Sequence, residues 1–375
     1  MEEQTTRKSY KYKLRPTAEQ AWLLERTLML CRHVYNAAIG ERREAWRMRG
    51  VSVSYYHQKA ELPSIKEAMP EYSEVNAQVL QDVVLRVDRA FQAFFRRIKA
   101  GEIPGYPRFQ GRERFNSITY PQAGEHGGAR LDNGFLVLSK IGRVAVRWSR
   151  PLEGTPKTVT ISREVDGWYL CISCADVPVQ PLPLTGQETG IDLGLESFAT
   201  LADGTIIHNP RCYRRAERRL KTAQRKVARR TKGSNRRRKA VRLLAKAHQT
   251  VKRQRQDFQH KAALALVRQY DTIYHEDLQT ANMLKNHHLA KSISDAGWAQ
   301  FLGILTYKAA CAGRRVVAVP PAYTSQTCSG CGVIVSKGLS VRWHSCPDCG
   351  TSLHRDHNAA RNIERAGQDL RGAVA

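Results

Sequence analysis

The sequence predicts an α/β protein with a separate helical lobe and a separate β lobe, and three observations carry that reading. Apolar residues recur at helical spacing through most of residues 17–102. From Ile103 the chain turns to short β-rich runs separated by Asn133-Gly134, Ile141-Gly142 and Asp166-Gly167. After Pro178, Pro181 and Pro183, strand-like and helix-like stretches alternate, and carboxylates stand within or at the ends of them.

Lys11-Tyr12-Lys13-Leu14 reads as a strand, and Thr17 with Gln20 three residues on makes a capping box. Leu23, Leu24, Thr27, Leu28, Cys31, Val34, Tyr35, Ala38 and Ile39 then continue a helix to about Gly50. A second helical stretch runs from about Tyr56 to near Pro70. Ser73 is expected to cap a third, whose stripe of Val79, Leu80, Val83, Val84, Val87, Phe91, Phe94, Phe95 and Ile98 stops at Gly101. Aromatics at that spacing read as core rather than as platforms for bases.

Residues 115–120, 135–138, 144–148, 158–163 and 168–175 read as strands of a small barrel. Cys171 and Cys174 sit three apart in one of them, so they point to opposite faces and read as packing thiols, not as half a metal site. Beyond the prolines, the strand around Asp192 runs into residues 198–201 and an Asp203-Gly204 turn, a hairpin signal. From Arg211 to Gln256 the only acid is Glu217, and Lys232-Gly233-Ser234-Asn235 marks a turn between two long helices. A solvated helical face interleaves both signs of charge, and this one does not. The hairpin is therefore expected to lie along nucleic-acid backbone, with Arg229, Arg230, Lys232, Arg236, Arg237, Arg238 and Lys239 as contacts around its tip.

A helix-like stretch, 261–270, leads into the apolar run ending at Glu276. Trp298, Phe301, Leu302, Leu305 and Ala309 form a core-facing helix, with Ser294 or Asp295 as its expected cap and Gly313 as its end. Residues 316–319 read as a buried strand stopped by Pro320-Pro321.

Composition narrows the function. The 375 residues suggest two or three domains, and 61 Lys+Arg against 34 Asp+Glu leave a net charge of +27. Such an excess is well beyond what solubility needs and points to a polyanion partner. No run of eighteen apolar residues occurs, and Met1-Glu2-Glu3-Gln4 has no signal-peptide shape. The expectation is a soluble, cytoplasmic protein without a membrane partner, nucleoid-associated in a prokaryote.

Asp192 alone would read as a strand residue facing solvent. Two further carboxylates change that: Glu276 closes a later apolar run, and Asp356 opens the Ala-rich helical pattern of residues 356–363. Three carboxylates brought by two strands and a helix start can converge at one end of a mixed sheet. Hard cations such as Mg²⁺ bind such oxygen clusters, and two of them ~4 Å apart activate water and stabilise the leaving oxygen in phosphodiester cleavage.

Of nine cysteines, Cys31, Cys171, Cys174, Cys212 and Cys311 are scattered as reduced thiols are, while Cys328, Cys331, Cys346 and Cys349 form two C-x-x-C knuckles. Each knuckle is followed by Gly, and the spacing suits a closed, structural, tetrahedral four-cysteine site for Zn²⁺. His344 and His354 lie nearby with no ligand position left to fill.

Taken in order, Gly190-Ile191-Asp192-Leu193-Gly194, Glu276-Asp277-Leu278, the paired Cys motifs and the Asp356-to-Ile363 run resemble the RuvC-type nuclease domain of transposon-encoded TnpB (OrfB) proteins. Leu14-Arg15-Pro16-Thr17 and Gly105-Tyr106-Pro107-Arg108-Phe109 extend the resemblance to nearly the whole chain. It implies a RuvC/RNase H-like nuclease domain over 186–324 and 353–375, containing the basic hairpin 211–256. It also implies an inserted zinc ribbon, 325–352, a β-barrel wedge domain, 1–16 and 103–183, and an inserted helical recognition lobe, 17–102.

The activity so implied is that of an RNA-guided DNA endonuclease related to type V CRISPR effectors. Guide RNA from the transposon end would direct it, one protein per RNA, to double-stranded DNA beside a short motif. Asp192, Glu276 and Asp356 would hold two Mg²⁺ and carry the hydrolysis. In such systems base pairing supplies sequence specificity while the protein reads shape and the flanking motif. Tyr55, Tyr56, Gln78, Gln81, Thr119 and Tyr120 fall by position in segments the family uses for motif reading, although this sequence differs from its relatives there. The family's last motif often begins with an acid two positions before the Asp, where this chain has His354.

Two other readings stay open. Guide-dependent binding without cutting would make a repressor, with loss of a carboxylate as its signature; all three are present. A zinc-ribbon DNA-binding accessory of transposition would need no RNA.

Overall fold

The computed structural model describes residues 5–125, 127–338 and 340–372. Residues 1–4, on which the reading of the chain's start rests, lie outside these, as do residues 373–375 at the end of the expected nuclease span. Packing divides the chain into two compact units, Met1–Pro178 and Val179–Ala375.

In the first unit β1 (Thr5–Arg15) leads into α1 (Ala18–Arg49) through the expected capping box. The Thr17 hydroxyl accepts from the Gln20 N–H at 3.2 Å, and Gln20 Oε1 accepts from the Thr17 N–H at 3.0 Å. Gly50, at φ 63°, ends this helix. The next stretch is two short helices, α2 (Tyr55–Ala60) and α3 (Leu62–Ala68), followed by a 3-10 turn (Pro70–Glu74) and α4 (Ala77–Lys99). The cap of α4 is Asn76 rather than Ser73: Asn76 Oδ1 accepts from the Gln78 N–H at 2.9 Å, while Ser73 sits inside the 3-10 turn. The apolar stripe of α4 is core through Phe91, but Phe95 and Ile98 are 55% and 47% exposed, so the reading of its aromatics as core fails in the last turns.

Six more strands follow: β2 (Ser117–Tyr120), β3 (Ala129–Asp132), β4 (Phe135–Leu138), β5 (Gly142–Arg147), β6 (Thr155–Glu164) and β7 (Gly167–Pro178). They form an antiparallel sheet in the order β2-β6-β7-β1-β5-β4-β3, with β1 at its centre. Ala123, just past β2, bridges to Ala129 of β3, so the two edges of the sheet meet and it curls into a barrel. Strand β3 escaped the sequence reading because it is only four residues long and runs straight into the Asn133-Gly134 turn, too short for its alternation of Ala129, Arg130, Leu131 and Asp132 to stand out. Cys174 is fully buried while Cys171 on the other face is half-buried, and burial pushes both thiols up, as packing residues.

The second unit opens with an antiparallel meander, β8 (Glu188–Asp192), β9 (Ser197–Leu201) and β10 (Ile206–His208). Helices α5 (Cys212–Ala228) and α6 (Asn235–Gln269) form the basic hairpin; α6 is continuous and takes in the expected helical stretch from Lys261, with Tyr270 as its C-cap. Next come β11 (Thr272–Glu276), α7 (Thr280–Met283), α8 (Ala290–Ala296), α9 (Trp298–Cys311) and β12 (Arg315–Val319). The strand order is β10-β9-β8-β11-β12, with β11 parallel to both β8 and β12, an RNase H-like sheet. Its core centres on Phe198, whose ring meets Phe258 and Phe301 edge-on at 4.9 Å each. Ser294 and Asp295 lie within α8, so neither caps α9. Gly297, in the left-handed region at φ 67°, joins the two helices, and Asp295 instead accepts from the Tyr213 and Arg214 N–H groups that open α5.

A small hairpin of β13 (Trp343–Ser345) and β14 (Ser352–His354) precedes the last helix, α10 (Arg355–Gly372), which packs across β8 and β11. Among the described residues no helix is long and apolar enough to cross a membrane.

Candidate active site and metal centre

Asp192 and Glu276 end two adjacent parallel strands. The register pairs His275 with Ile191, so the two carboxylates stand one step further on, side by side at the carboxyl end of the sheet. Open α/β sheets bind ligands at that end. Asp356 reaches the same place from the first turn of α10, because that helix lies unusually close to β8. A Cβ on Gly190 would fall 2.1 Å from the Ala360 carbonyl oxygen, and one on Gly367 would fall 1.9 Å from the Tyr274 ring. Two absent side chains thus seat the helix.

His354 stands where the family often has an acid. Its Nδ1 accepts from the Asp356 N–H at 3.3 Å, the capping bond an acid at that place would also make.

Burial pushes the Asp192 carboxyl well above the usual carboxylate range, and the neighbouring Glu276 and Asp356 charges push it further, against a smaller pull from Arg355. Burial likewise raises Glu276, offset by the Thr324 hydroxyl donating to its Oε1 and by Arg355. Without a cation the site is short of positive charge. Hard oxygen donors whose proton affinity is raised in this way are a fit for divalent cations, which displace protons on binding. Among the described residues the group of three or more His, Cys, Asp or Glu ligand atoms already drawn together within 4.8 Å is the cysteine group described next.

Cys328, Cys331, Cys346 and Cys349 bring their four sulfurs within 4.8 Å of one another. Sγ atoms of Cys328 and Cys349 are 3.6 Å apart and those of Cys331 and Cys346 3.5 Å, close to the ~3.8 Å edge of a tetrahedron with zinc–sulfur bonds of ~2.3 Å. Gly332 and Gly350, at φ 84° and 73°, close the two knuckles. Without a metal the four sulfurs share their protons unevenly: the Thr351 hydroxyl and backbone hold the Cys349 thiol down, while, against the pull of the Val333 backbone, hydrogen bonding to its neighbouring sulfurs pushes Cys331 up. His344 is not a ligand: it is fully buried, and its Nδ1 pairs with the Lys337 ammonium.

The expected nucleic-acid contacts divide. In the first unit Tyr56 and Gln81 line one groove of about 450 Å³ with Lys59 and Lys66, and Tyr55 meets Tyr56 edge-on at 5.3 Å. Gln78 donates to Gln122 Oε1 at 2.6 Å, and the Thr119 hydroxyl accepts from Arg86 at 2.7 Å. Tyr120 is 1% exposed in the barrel core and cannot touch a partner there.

At the tip of the basic hairpin, Arg229, Arg230, Lys232, Arg236, Arg238 and Lys239 are exposed. Arg237 is turned inward, donating to the Val227 and Arg230 carbonyls at 2.9 and 3.1 Å, where it closes the end of α5. The one acid, Glu217, is held down to about 2 by Lys291 and Lys221 and also pairs with Arg214 at 3.7 Å, so its charge is spent within the base of the hairpin and not at the tip. Sequence reading missed a groove of about 560 Å³ between α5 and α6, rimmed by Arg215, Arg218, Arg219 and Lys226 over Ala240 and Leu243. The spacing of three and four between Arg215, Arg218 and Arg219 was the available signal.

Comparison with known proteins agrees with this architecture. Residues 169–287 match the OrfB model of IS605-type elements, described as a probable transposase, and residues 298–363 match the Cas12f1-like TNB domain. Residues 1–50 match the helix-turn-helix model of OrfB proteins, although here the described part of that span is one strand and one continuous helix. A protein of Streptomyces pristinaespiralis named as an RNA-guided DNA endonuclease is 40% identical over 373 residues, covering 97% of this chain and 90% of the relative. InsQ of Escherichia coli (strain K12), similarly named, is 31% identical over 379 residues, covering 96% and 92%. The fold is that of the Cas12f1 protein in a complex with sgRNA and target DNA, at a TM-score of 0.62 and 14% identity over 96% of this chain and 99% of that one. The chain belongs to the transposon-encoded OrfB (TnpB) family.

Proposed function

We propose that this chain is an RNA-guided endonuclease that hydrolyses phosphodiester bonds of double-stranded DNA beside a short transposon-associated motif. The observation that carries the reading is the meeting of Asp192, Glu276 and Asp356 at the carboxyl end of an RNase H-like sheet, where Asp192 feels the charges of the other two. The names of the S. pristinaespiralis and E. coli relatives, and the nucleic acids in the Cas12f1 complex, support the same reading.

Mg²⁺ bound to these carboxylates supplies an activated water and stabilisation of the leaving oxygen. The chain's own part is to hold the three oxygen donors in place. Thr324 orients Glu276 through its hydroxyl, and α10, seated on Gly190, fixes Asp356. The four-cysteine site, with every ligand position filled, holds Zn²⁺ as a structural ion. Basic residues on α5, α6 and their turn neutralise phosphates without reading sequence. In this reading the barrel with its helical insertion, Tyr56 and Gln81 included, serves as wedge and recognition lobe. The nuclease spans 186–324 and 353–375 around the ribbon at 325–352. One protein binds one guide RNA.

Extraction of nucleic acid from protein co-expressed with its native flanking DNA tests the partner. Copurifying RNA from the transposon end is the expected result; protein free of RNA would leave only an RNA-independent role.

A further inference from the structure

We infer that Asn358 and Asn362 are positioning residues through which the zinc knuckle sets the geometry of the carboxylate site; the inference rests on reading Asp192, Glu276 and Asp356 as that site. The two amides and Arg365 follow one another at spacings of four and three, along one face of α10. Asn358 is fully buried and Asn362 is 8% exposed. Asn358 Oδ1 accepts from the Ser329 N–H at 2.9 Å, and its Nδ2 donates to the Thr327 carbonyl at 2.7 Å. Asn362 Nδ2 donates to the Thr324 and Thr327 carbonyls at 2.8 and 2.6 Å. Arg365 donates to the Ser329 carbonyl at 2.9 Å.

The gripped residues, Thr327 and Ser329, flank the zinc ligand Cys328 on both sides. At one end of this grip, Asp356 stands two residues before Asn358 on the same helix. At the other, Thr324, held by Asn362, donates its hydroxyl to Glu276. The first knuckle is therefore fastened between the supports of two of the three carboxylates. A packing role alone would be filled by leucine of similar size. Asn358, with both donor and acceptor engaged, and Asn362, whose amide donates to two carbonyls, instead impose direction, because a misplaced partner leaves a buried polar group unmade. Loss of zinc frees Cys328, and with it the backbone that these amides hold.

Titration of the full chain with Mn²⁺ alone, followed by the loss of the free-ion EPR signal, tests this, with Asp192→Ala defining binding elsewhere on the molecule. Thr324→Val and Asn362→Leu are expected to keep one zinc per chain yet lose about tenfold in Mn²⁺ affinity, the usual cost of a lost outer-shell partner. Stripping zinc from the wild type should do the same, and Thr324→Ser, which keeps the hydroxyl, should bind as the wild type does. Unchanged Mn²⁺ affinity in both the zinc-stripped protein and Thr324→Val overturns the coupling. Should Asn362→Leu fail to fold, the Thr324 pair still decides it. Wild-type binding no better than that of Asp192→Ala would be a different failure, that of the carboxylate reading itself, and the coupling would fall with it.

Discussion

Gly190 and Ala360 touch backbone to backbone: a methyl group on the strand residue would sit 2.1 Å from the helix carbonyl oxygen. That contact lets α10 lie flat on β8 and carries Asp356 to Asp192. Gly190→Ala should therefore push the helix away, at a cost of about 1–3 kcal/mol from overpacking. Differential scanning calorimetry should show the Val179–Ala375 unit melting several degrees lower, at ~2–4 °C per kcal/mol. Its cation binding should fall further than that stability change accounts for. An unchanged melting profile would mean that the helix does not rest on this glycine.

The carboxylates oppose folding when no cation is present. Burial and mutual repulsion raise Asp192, and burial raises Glu276, so the folded chain holds protons to higher pH than the unfolded chain does. Stability contributed by this pair is therefore lost as pH rises above the ordinary carboxylate range of about 4. With zinc bound and no other divalent cation added, Asp192→Asn should melt higher than wild type at pH 7, and the difference should vanish near pH 4. A gain of about 1 kcal/mol would read as ~2–4 °C. Added Mg²⁺ should stabilise the wild type and leave the variant unmoved.

The basic hairpin separates binding from folding. Replacing exposed Arg236, Arg238 and Lys239 by Ala should weaken RNA and DNA binding across sequences and lower the salt-dependence slope by about one per lost phosphate contact. Arg237→Ala should act on stability instead, since its guanidinium closes the end of α5. Filter binding at several salt concentrations, beside thermal melts, distinguishes the two outcomes.

Metal analysis should find one zinc per chain. Cys331 and Cys349 are exposed, so a strong chelator should reach the ion without prior unfolding. Cys349→Ser should abolish stoichiometric zinc. Retention of zinc by that variant would contradict the four-sulfur site.

Much of this molecule is legible in its residues, and the losses have physical reasons. The capping box at Thr17, the knuckle glycines and the Asp203-Gly204 turn are local chemistry, and each is found where local rules place it. The carboxylates could be picked out by where they stand, Asp192 and Glu276 in apolar strand-like runs and Asp356 at the opening of an Ala-rich helix. What holds them together could not: Gly190 acts through Ala360, and Asn358 through Ser329, and neither spacing leaves a periodic trace. Asp295 misled for the same reason, standing beside α9 in sequence while capping α5 in space. Tyr120 belonged to a plausible motif segment, but strand alternation turned its ring into the barrel.

The central claim is tested most directly by cutting. The chain, purified with its copurifying RNA, is incubated in Mg²⁺ with a plasmid library carrying the guide-matched target beside randomised flanks, in parallel with Asp192→Ala. RNA-dependent cleavage beside one short motif, abolished in the variant, is the predicted result. Guide-dependent binding with no cleavage by either protein would contradict the nuclease assignment and make the chain an RNA-guided binding protein.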